Sequence, residues 1–239
     1  MARHVADTEP TFTRESDMAA AVASWMKSSG LAAVKSEFVT PWGICDLVGL
    51  AFNRDRVAHR LGQKQTRPIS SITSAALLLQ IPDVEKRRST TLDKLVRQFA
   101  PSIPEEVVSA QVARLIADRF VVPCSRGRFQ KLNGWIPLHD RLVAVELKLS
   151  RIDEAMHQAL NNLGFAEESY VGLPAQVARR VASRASRWSD FFDAGVGLLG
   201  VMRRGCKVLM PARKDRGLTD AAIQLYCVEK FWRTYAKGN

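Results

Sequence analysis

The sequence predicts an α/β fold in which a mainly helical unit interrupts a core of strands and helices. Apolar, strand-like runs occur near the start of the chain and resume only after residue 138. Between them lie polar, basic segments and amphipathic helical patterns. A chain of 239 residues is long enough for a core domain that carries an insertion. We therefore expect a discontinuous core, residues 1–53 and 138–239, and an inserted domain, residues 54–137.

Composition and charge narrow the class of protein. Hydrophobic residues make up 46% and charged residues 25%, as in soluble globular proteins. No apolar run reaches the roughly 18 residues of a membrane span, and the first residues lack the apolar region of a secretory signal. We expect a cytoplasmic protein without a membrane partner. The four cysteines form no CxxC pair, which argues against zinc. A net charge of +11 favours a polyanionic partner.

The first predicted element is a helix over residues 13–29, with acids in its first turn and Gly30 as its stop. Helical periodicity brings Glu15 onto the apolar face of this helix. That face also carries Met18, Ala19, Val22, Trp25 and Met26.

Two strands are predicted next, over residues 32–40 and 42–52, and their spacing around Pro41 indicates a hairpin. The second strand is apolar on both faces except for Asp46. A carboxylate in such a strand requires a partner or a wet cleft, because burying an unpaired charge costs several kcal/mol.

The insertion begins with a polar, basic stretch and continues with three helical patterns, around residues 72–80, 89–99 and 104–120. A hairpin is predicted over 121–135. Three helices followed by a basic hairpin resemble a winged helix-turn-helix module, and that resemblance implies binding to DNA. The side chains available for phosphate contacts in the hairpin are Arg126, Arg128 and Lys131. A solvated hairpin is the alternative interpretation.

After the insertion the α/β pattern returns. The predicted elements are a strand at 142–150, a helix at 151–168, a strand at 169–174, helix at 176–195, a strand pair at 195–202 and 206–212, and a terminal helix at 218–236. Arginines 179, 180, 184 and 187 recur in the second of these helical stretches, where they line a nucleic-acid groove or form a solvated face. The four histidines have no metal-ligand spacing.

The strand LVAVELKLS, residues 142–150, carries two charges on one face. Strand side chains alternate, so Glu146 and Lys148 emerge together. With Asp46 and Glu15, three carboxylates lie where water is scarce, and like charges raise one another's pKa unless a cation is present. Carboxylate oxygens select Mg²⁺ or Mn²⁺ over zinc. The alternative is that Glu146 and Lys148 pair with each other or lie on a solvated sheet face.

The order of these residues, from a helical Glu through a strand Asp to a strand Glu-x-Lys, resembles the PD-(D/E)xK, or restriction-endonuclease-like, nuclease superfamily. The resemblance implies a mixed central sheet flanked by helices. It also implies site roles: Asp46 and Glu146 hold the metal with the Leu147 carbonyl and Glu15, while Lys148 positions or activates water. Gln158 matches a Gln found on the following helix in some branches. Cys45 stands where the motif has proline, and nearly one hundred residues separate the two halves.

By this resemblance the chain is expected to be a Mg²⁺- or Mn²⁺-dependent DNA endonuclease that acts in phage defence or DNA processing. A homodimer is implied as well, because family members often dimerise to cut both strands. Two other functions remain open: a non-catalytic DNA-binding or regulatory protein with a nuclease-like fold, and a structural subunit whose basic surface contacts a partner.

Overall fold

The computed structural model describes residues 12–124, 127–132, 137–214 and 217–238. Contacts divide the chain into two compact units. The first unit comprises the described part of Met1–Ala51 together with Arg141–Thr219, and the second comprises Phe52–Asp140 and Asp220–Asn239 over the same described ranges.

The helices and strands follow the printed sequence in this order. Before the insertion come a 3₁₀ turn at Glu15–Met18, α1 (Ala19–Ser28), β1 (Ala33–Thr40) and β2 (Gly43–Phe52). Next are α2 (Arg54–Gly62), α3 (Ile72–Gln80), β3 (Thr90–Thr91), α4 (Leu92–Phe99), α5 (Glu105–Ala117), β4 (Val121–Cys124) and β5 (Arg128–Lys131). The chain continues with β6 (His139–Leu147), α6 (Ile152–Asn162), β7 (Glu168–Pro174), α7 (Ala175–Ala182), a 3₁₀ turn at Ala185–Trp188, α8 (Ser189–Asp193), β8 (Gly197–Met202), β9 (Gly205–Met210) and α9 (Ala221–Gly238).

A mixed sheet forms the centre of the first unit, with the strand order β1-β2-β6-β7-β8-β9. The outer pairs β1–β2 and β8–β9 are antiparallel, whereas β6–β7 and β7–β8 are parallel. A mixed sheet with helices before and between its strands confirms the predicted α/β class. The neighbours β2 and β6 are the two strands that the insertion separates in sequence.

Helices cover both faces of this sheet. On one face, α1 buries Met18, Val22 and Met26 against side chains that include Leu47 and Val145. On the other face, residues of α6, α7 and α8 form a second apolar cluster with β7 and β8, whose members include Ala155, Met156, Ala159, Val171, Leu173, Ala178 and Phe192. Because both faces are covered, the central strands are apolar on both sides.

The pleat of β6 decides which way its charged residues face. Val143, Val145 and Leu147 belong to the cluster on the α1 face. Glu146 is the register partner of Val171, which belongs to the cluster on the α6 face. Glu146 therefore points toward α6, as the alternation of strand side chains requires.

The second unit contains α2 to α5, α9 and a three-stranded sheet in the order β3-β5-β4. Its apolar core draws on α3, α4, α5 and α9, and includes Leu77, Leu95, Val112 and Leu225. Arg60 of α2 is 1% exposed and pairs with the buried Glu229 of α9. The Arg60 guanidinium carbon lies 4.2 Å from the centre of the Trp232 ring.

The observed division differs from the sequence-based one at the C-terminus. Residues of α9 were expected in the first unit, but α9 packs within the second, because Leu225 joins its core and Glu229 binds Arg60. Near the insertion the boundaries agree to within a few residues. The stretch 176–195 is not one helix, since it breaks at Ser183 and Arg184 into α7, the 3₁₀ turn and α8. Within the described ranges, no helix combines the length and apolarity needed to cross a bilayer.

Candidate functional site

The site lies where β2 and β6 run side by side. The Asp46 Oδ2 atom accepts a hydrogen bond of 2.7 Å from the main-chain N–H of Leu147, across 101 positions of sequence. This bond brings the carboxylate of Asp46 to the Glu146-Leu147-Lys148 triplet. The two halves of the predicted motif are therefore adjacent, although an entire unit separates them along the chain.

The β1–β2 ladder is interrupted opposite Asp46. Register pairs join Ser36 to Leu47 and Phe38 to Cys45, but Glu37 and Asp46 between them form no pair in the ladder. Glu37 has φ +49°, in the left-handed region. On one side of the break Leu47 packs with α1, whereas on the other side the Cys45 Sγ lies 3.4 Å from Asn162 Nδ2 of α6. A local distortion of this kind re-aims a side chain at the point where it occurs, which here is Asp46.

Glu146 is the most deeply buried carboxylate of the group. It is 3% exposed, and its Oε1 accepts a hydrogen bond of 2.6 Å from Asn162 Nδ2. Burial raises the pKa of Glu146 to about 7, and the nearby charge of Asp46 raises it further against the hydrogen bonds from Asn162 and Cys45 and the charge of Lys148. A carboxyl group with such a pKa changes its charge near neutral pH, and a bound cation would favour the ionised form.

The thiol of Cys45 lies beside this carboxyl group. Burial raises its pKa well above the usual range, and the neighbouring charges of Glu146 and Asp46 act in the same direction. Because the thiolate is the reactive form of cysteine, Cys45 is an inert packing residue at this pH.

Lys148 is 7% exposed, and its amine lies between two carboxylates. The Nζ atom is 3.6 Å from Glu15 Oε2 and 3.7 Å from Glu154 Oε1. The other oxygen of Glu15 accepts a hydrogen bond of 3.4 Å from Leu149 N–H. Glu15 thus joins the site as predicted from the first helix, but its observed contacts are with Lys148 and the strand. Lys148 forms its ion pairs with Glu15 and Glu154 and not with Glu146.

A polar row on α6 faces the charged face of β6. Glu154, Gln158 and Asn162 are spaced four residues apart, which aligns them along one side of the helix. Its first and last members contact Lys148 and Glu146. The Oε1 atom of Gln158, between them, is buried and has no hydrogen-bond partner among the described residues. Buried polar atoms nearly always have a partner, so this acceptor lacks a donor or a cation.

The donor set suits a small, hard cation. Asp46 and Glu146 provide carboxylate oxygens, and Gln158 provides an unpaired amide oxygen. Within the described ranges, no three His, Cys, Asp or Glu side chains converge as a metal-binding group. Mg²⁺ keeps several water ligands and is commonly held by only one or two carboxylates, so a third acidic side chain is not required.

Sequence reasoning missed Glu154 and Asn162. Both recur with Gln158 at four-residue spacing in a helix that follows the Glu-x-Lys strand. That spacing is visible in the sequence, yet it gains meaning only once the face of β6 that carries Glu146 is known to meet α6.

The predicted phosphate-binding residues lie in the second unit. Arg128 is held by Ser89, since its Nε donates to Ser89 Oγ at 2.6 Å and its Nη2 to Ser89 O at 2.7 Å. The Nζ of Lys131 donates to Leu78 O at 3.4 Å, and burial lowers the pKa of this amine. Both contacts fit the structural alternative better than phosphate binding. Arg126 lies outside the described residues.

The residues by which the chain resembles a PD-(D/E)xK nuclease are Asp46, Glu146 and Lys148, and these three lie together at the β2–β6 junction. Their membership of that superfamily stays a prediction that rests on these side chains. Comparison of the chain with protein-family models, curated proteins and solved structures gives no match.

Proposed function

We propose that this protein is a metal-dependent nuclease that hydrolyses phosphodiester bonds in DNA. The observation that carries the proposal is the convergence of Asp46, Glu146 and Lys148 on two neighbouring strands that an insertion separates in sequence. Charges are costly inside a sheet covered by helices. Two carboxylates and a lysine at one such point are therefore better explained by chemistry than by stability.

Asp46 and Glu146 would hold Mg²⁺ or Mn²⁺, with the main-chain carbonyl of Leu147 as a further oxygen ligand. When bound, such an ion would polarise a phosphoryl oxygen and lower the pKa of a coordinated water. Asn162 fixes the Glu146 carboxyl group through its 2.6 Å hydrogen bond. The Leu147 N–H fixes Asp46 in the same way. Both carboxylates are thus oriented before any ligand arrives, which lowers the cost of binding.

Lys148 supplies the positive charge of the site. Its amine is held by Glu15 and Glu154, so it does not need to reorganise when substrate binds. A fixed ammonium group next to the phosphate would stabilise the negative charge that develops in the transition state. It would also orient the attacking water, and Gln158 is the nearest polar neighbour on α6 to assist it.

DNA is inferred as the substrate from the second unit and from the net charge. Three helices, α3 to α5, precede a short hairpin, and β3 joins that hairpin in the order β3-β5-β4. This arrangement resembles a winged helix, a fold that binds DNA. A net charge of +11 favours the same partner.

The proposal is tested by incubating the full chain with labelled duplex DNA in Mg²⁺, in Mn²⁺ and in EDTA. Asp46→Asn removes the charge and retains an oxygen for the Leu147 N–H, so the variant should fold. We expect metal-dependent cleavage by the wild type and a loss of roughly 100-fold or more in the variant. Asp190→Asn, an exposed acid on α8, is the matched control. Equal cleavage by wild type and Asp46→Asn would rule out the assigned site.

A second candidate function is DNA binding without catalysis. It is favoured by the finding that no three acidic, histidine or cysteine side chains converge among the residues that the structure describes. That function predicts salt-dependent DNA binding and no cutting with either metal.

A further inference from the structure

A charged cleft opens beside the candidate site in the first unit. It has a volume of about 630 Å³ and lies between the end of β6, the start of α6, α7 and the 3₁₀ turn that follows α7. Six charged side chains line it: Arg151, Asp153, Glu154, Arg180, Arg184 and Arg187.

The cleft begins where the Glu-x-Lys strand ends. Leu149 and Ser150, the two residues after Lys148, form part of its wall. Glu154 lines the cleft and also lies 3.7 Å from the Lys148 amine. A ligand in the cleft would therefore be continuous with the position of Lys148. Crevices at the carboxyl ends of parallel strands, such as β6 and β7 here, are common ligand sites.

The lining carries an excess of positive charge. Four arginines face two acids, which leaves a net charge of +2. The acids are already paired: Arg151 Nη1 lies 2.8 Å from Glu154 Oε2, and Arg187 Nη2 lies 3.8 Å from Asp153 Oδ2. Exposed Arg180 and Arg184 form no ion pair with any residue in the described ranges. Their guanidinium groups are available for an anionic ligand, and their planar fork suits phosphate.

The floor of the cleft is rigid and apolar. Trp188 is buried, and its indole N–H donates to Asp153 Oδ1 at 2.7 Å. The Arg187 guanidinium carbon lies 5.0 Å from the centre of the Trp188 ring. Val181 is buried next to it. A fixed floor with charged rims suits an extended polyanion whose charges are spread along its length.

We propose that this cleft binds the sugar–phosphate backbone of the DNA strand that is cut, with Arg180 and Arg184 on phosphates next to the scissile one. The inference rests on the proposed nuclease function for the identity of the ligand. Contacts of this kind position the strand and carry no sequence information. The cleft would thus set the path of the strand past Lys148, and the arginines act as positioning residues.

The test compares two pairs of substitutions in the full chain. Arg180→Ala with Arg184→Ala removes the two free guanidinium groups of the cleft. Arg203→Ala with Arg204→Ala removes the same charge from the exposed β8–β9 turn and is the matched control. Binding of labelled DNA is followed by fluorescence anisotropy in EDTA, over a series of salt concentrations, after circular dichroism has shown that each variant folds.

We expect the cleft pair to bind about tenfold more weakly at low salt and to lower the salt slope by about 2, one phosphate contact for each arginine. The control pair should retain the wild-type slope. Equal effects of the two pairs, or no effect of either, would overturn the inference, as would a wild type that does not bind DNA.

Cleavage in Mg²⁺ separates this inference from the proposed function. If the wild type cuts and the cleft pair cuts with unchanged KM, the cleft is not the path of the strand and the inference fails alone. If the wild type binds DNA through the cleft but never cuts it, the nuclease proposal fails and the binding cleft stands.

Discussion

Glu146 couples the stability of the metal-free protein to pH. Burial raises its folded-state pKa to about 7, from the ordinary value of 4.5. Between these values the folded chain binds a proton that the unfolded chain releases, so stability falls as pH rises through this window. The decrease is at most about 3 kcal/mol and levels off above pH 7.

Glu146→Gln should remove this pH dependence, because the amide keeps the shape of the side chain and has no charge to bury. The measurement is urea unfolding in EDTA at several values between pH 5 and pH 8. The wild type should lose stability across the series relative to Glu146→Gln. An identical pH dependence in the two proteins would show that Glu146 does not titrate in the folded state.

Lys148 is predicted to matter for activity far more than for stability. Its partners Glu15 and Glu154 are partly exposed, and ion pairs with such groups contribute little. Lys148→Ala should therefore leave the denaturant midpoint within about 1 kcal/mol of the wild type and reduce metal-dependent cleavage roughly 100-fold or more. Lys207→Ala, an exposed lysine of β9, serves as the control. Loss of folding together with activity would assign Lys148 a structural role.

At the scale of elements, the junction of β2 and β6 depends on the side chain of Asp46. Asp46→Ala leaves the Leu147 N–H without its acceptor, which costs about 1–3 kcal/mol where the group is buried. Asp46→Asn supplies an oxygen at the same point, so it should be the more stable variant although neither should cut DNA. Urea unfolding of both proteins provides the comparison. Equal stability of the two would mean that the 2.7 Å bond contributes nothing.

Most strands and helices of the first unit follow from periodicity, but their partners do not. The alternation in LVAVELKLS correctly predicts that Glu146 and Lys148 share a face, because pleating is local. The ion pairs of Lys148 with Glu15 and Glu154 depend on how α1 and α6 pack, which no local pattern specifies. α2 was missed because its sequence is mostly polar and basic, and Asn53 starts it by accepting from Arg56 N–H.

At the scale of the whole molecule, α9 completes the second unit. The buried Glu229 neutralises Arg60 and also accepts a hydrogen bond of 3.0 Å from Ile69 N–H. Glu229→Ala should destabilise the second unit by about 3–5 kcal/mol, because it leaves a guanidinium group buried without its partner. Glu105→Ala, an exposed acid of α5, is the control.

Hydrogen exchange measures this effect unit by unit. Faster exchange in α3, α5 and α9 of Glu229→Ala, with the strands of the first unit unchanged, is the expected pattern. Slowed exchange in the first unit's sheet would disagree with the division into two cores. That division was predictable at the insertion, where composition changes sharply. It was not predictable for α9, since an amphipathic helix fits an apolar core without indicating which one.

The most direct test of the proposed site is the rate of Mg²⁺-dependent DNA cleavage by Glu146→Gln relative to the wild type. This substitution keeps the buried side chain nearly isosteric, so both proteins can be compared at the same folded concentration. The metal-and-lysine site predicts cutting by the wild type and a rate lower by roughly 100-fold or more in the variant. Wild-type cleavage that persists undiminished in Glu146→Gln would contradict it.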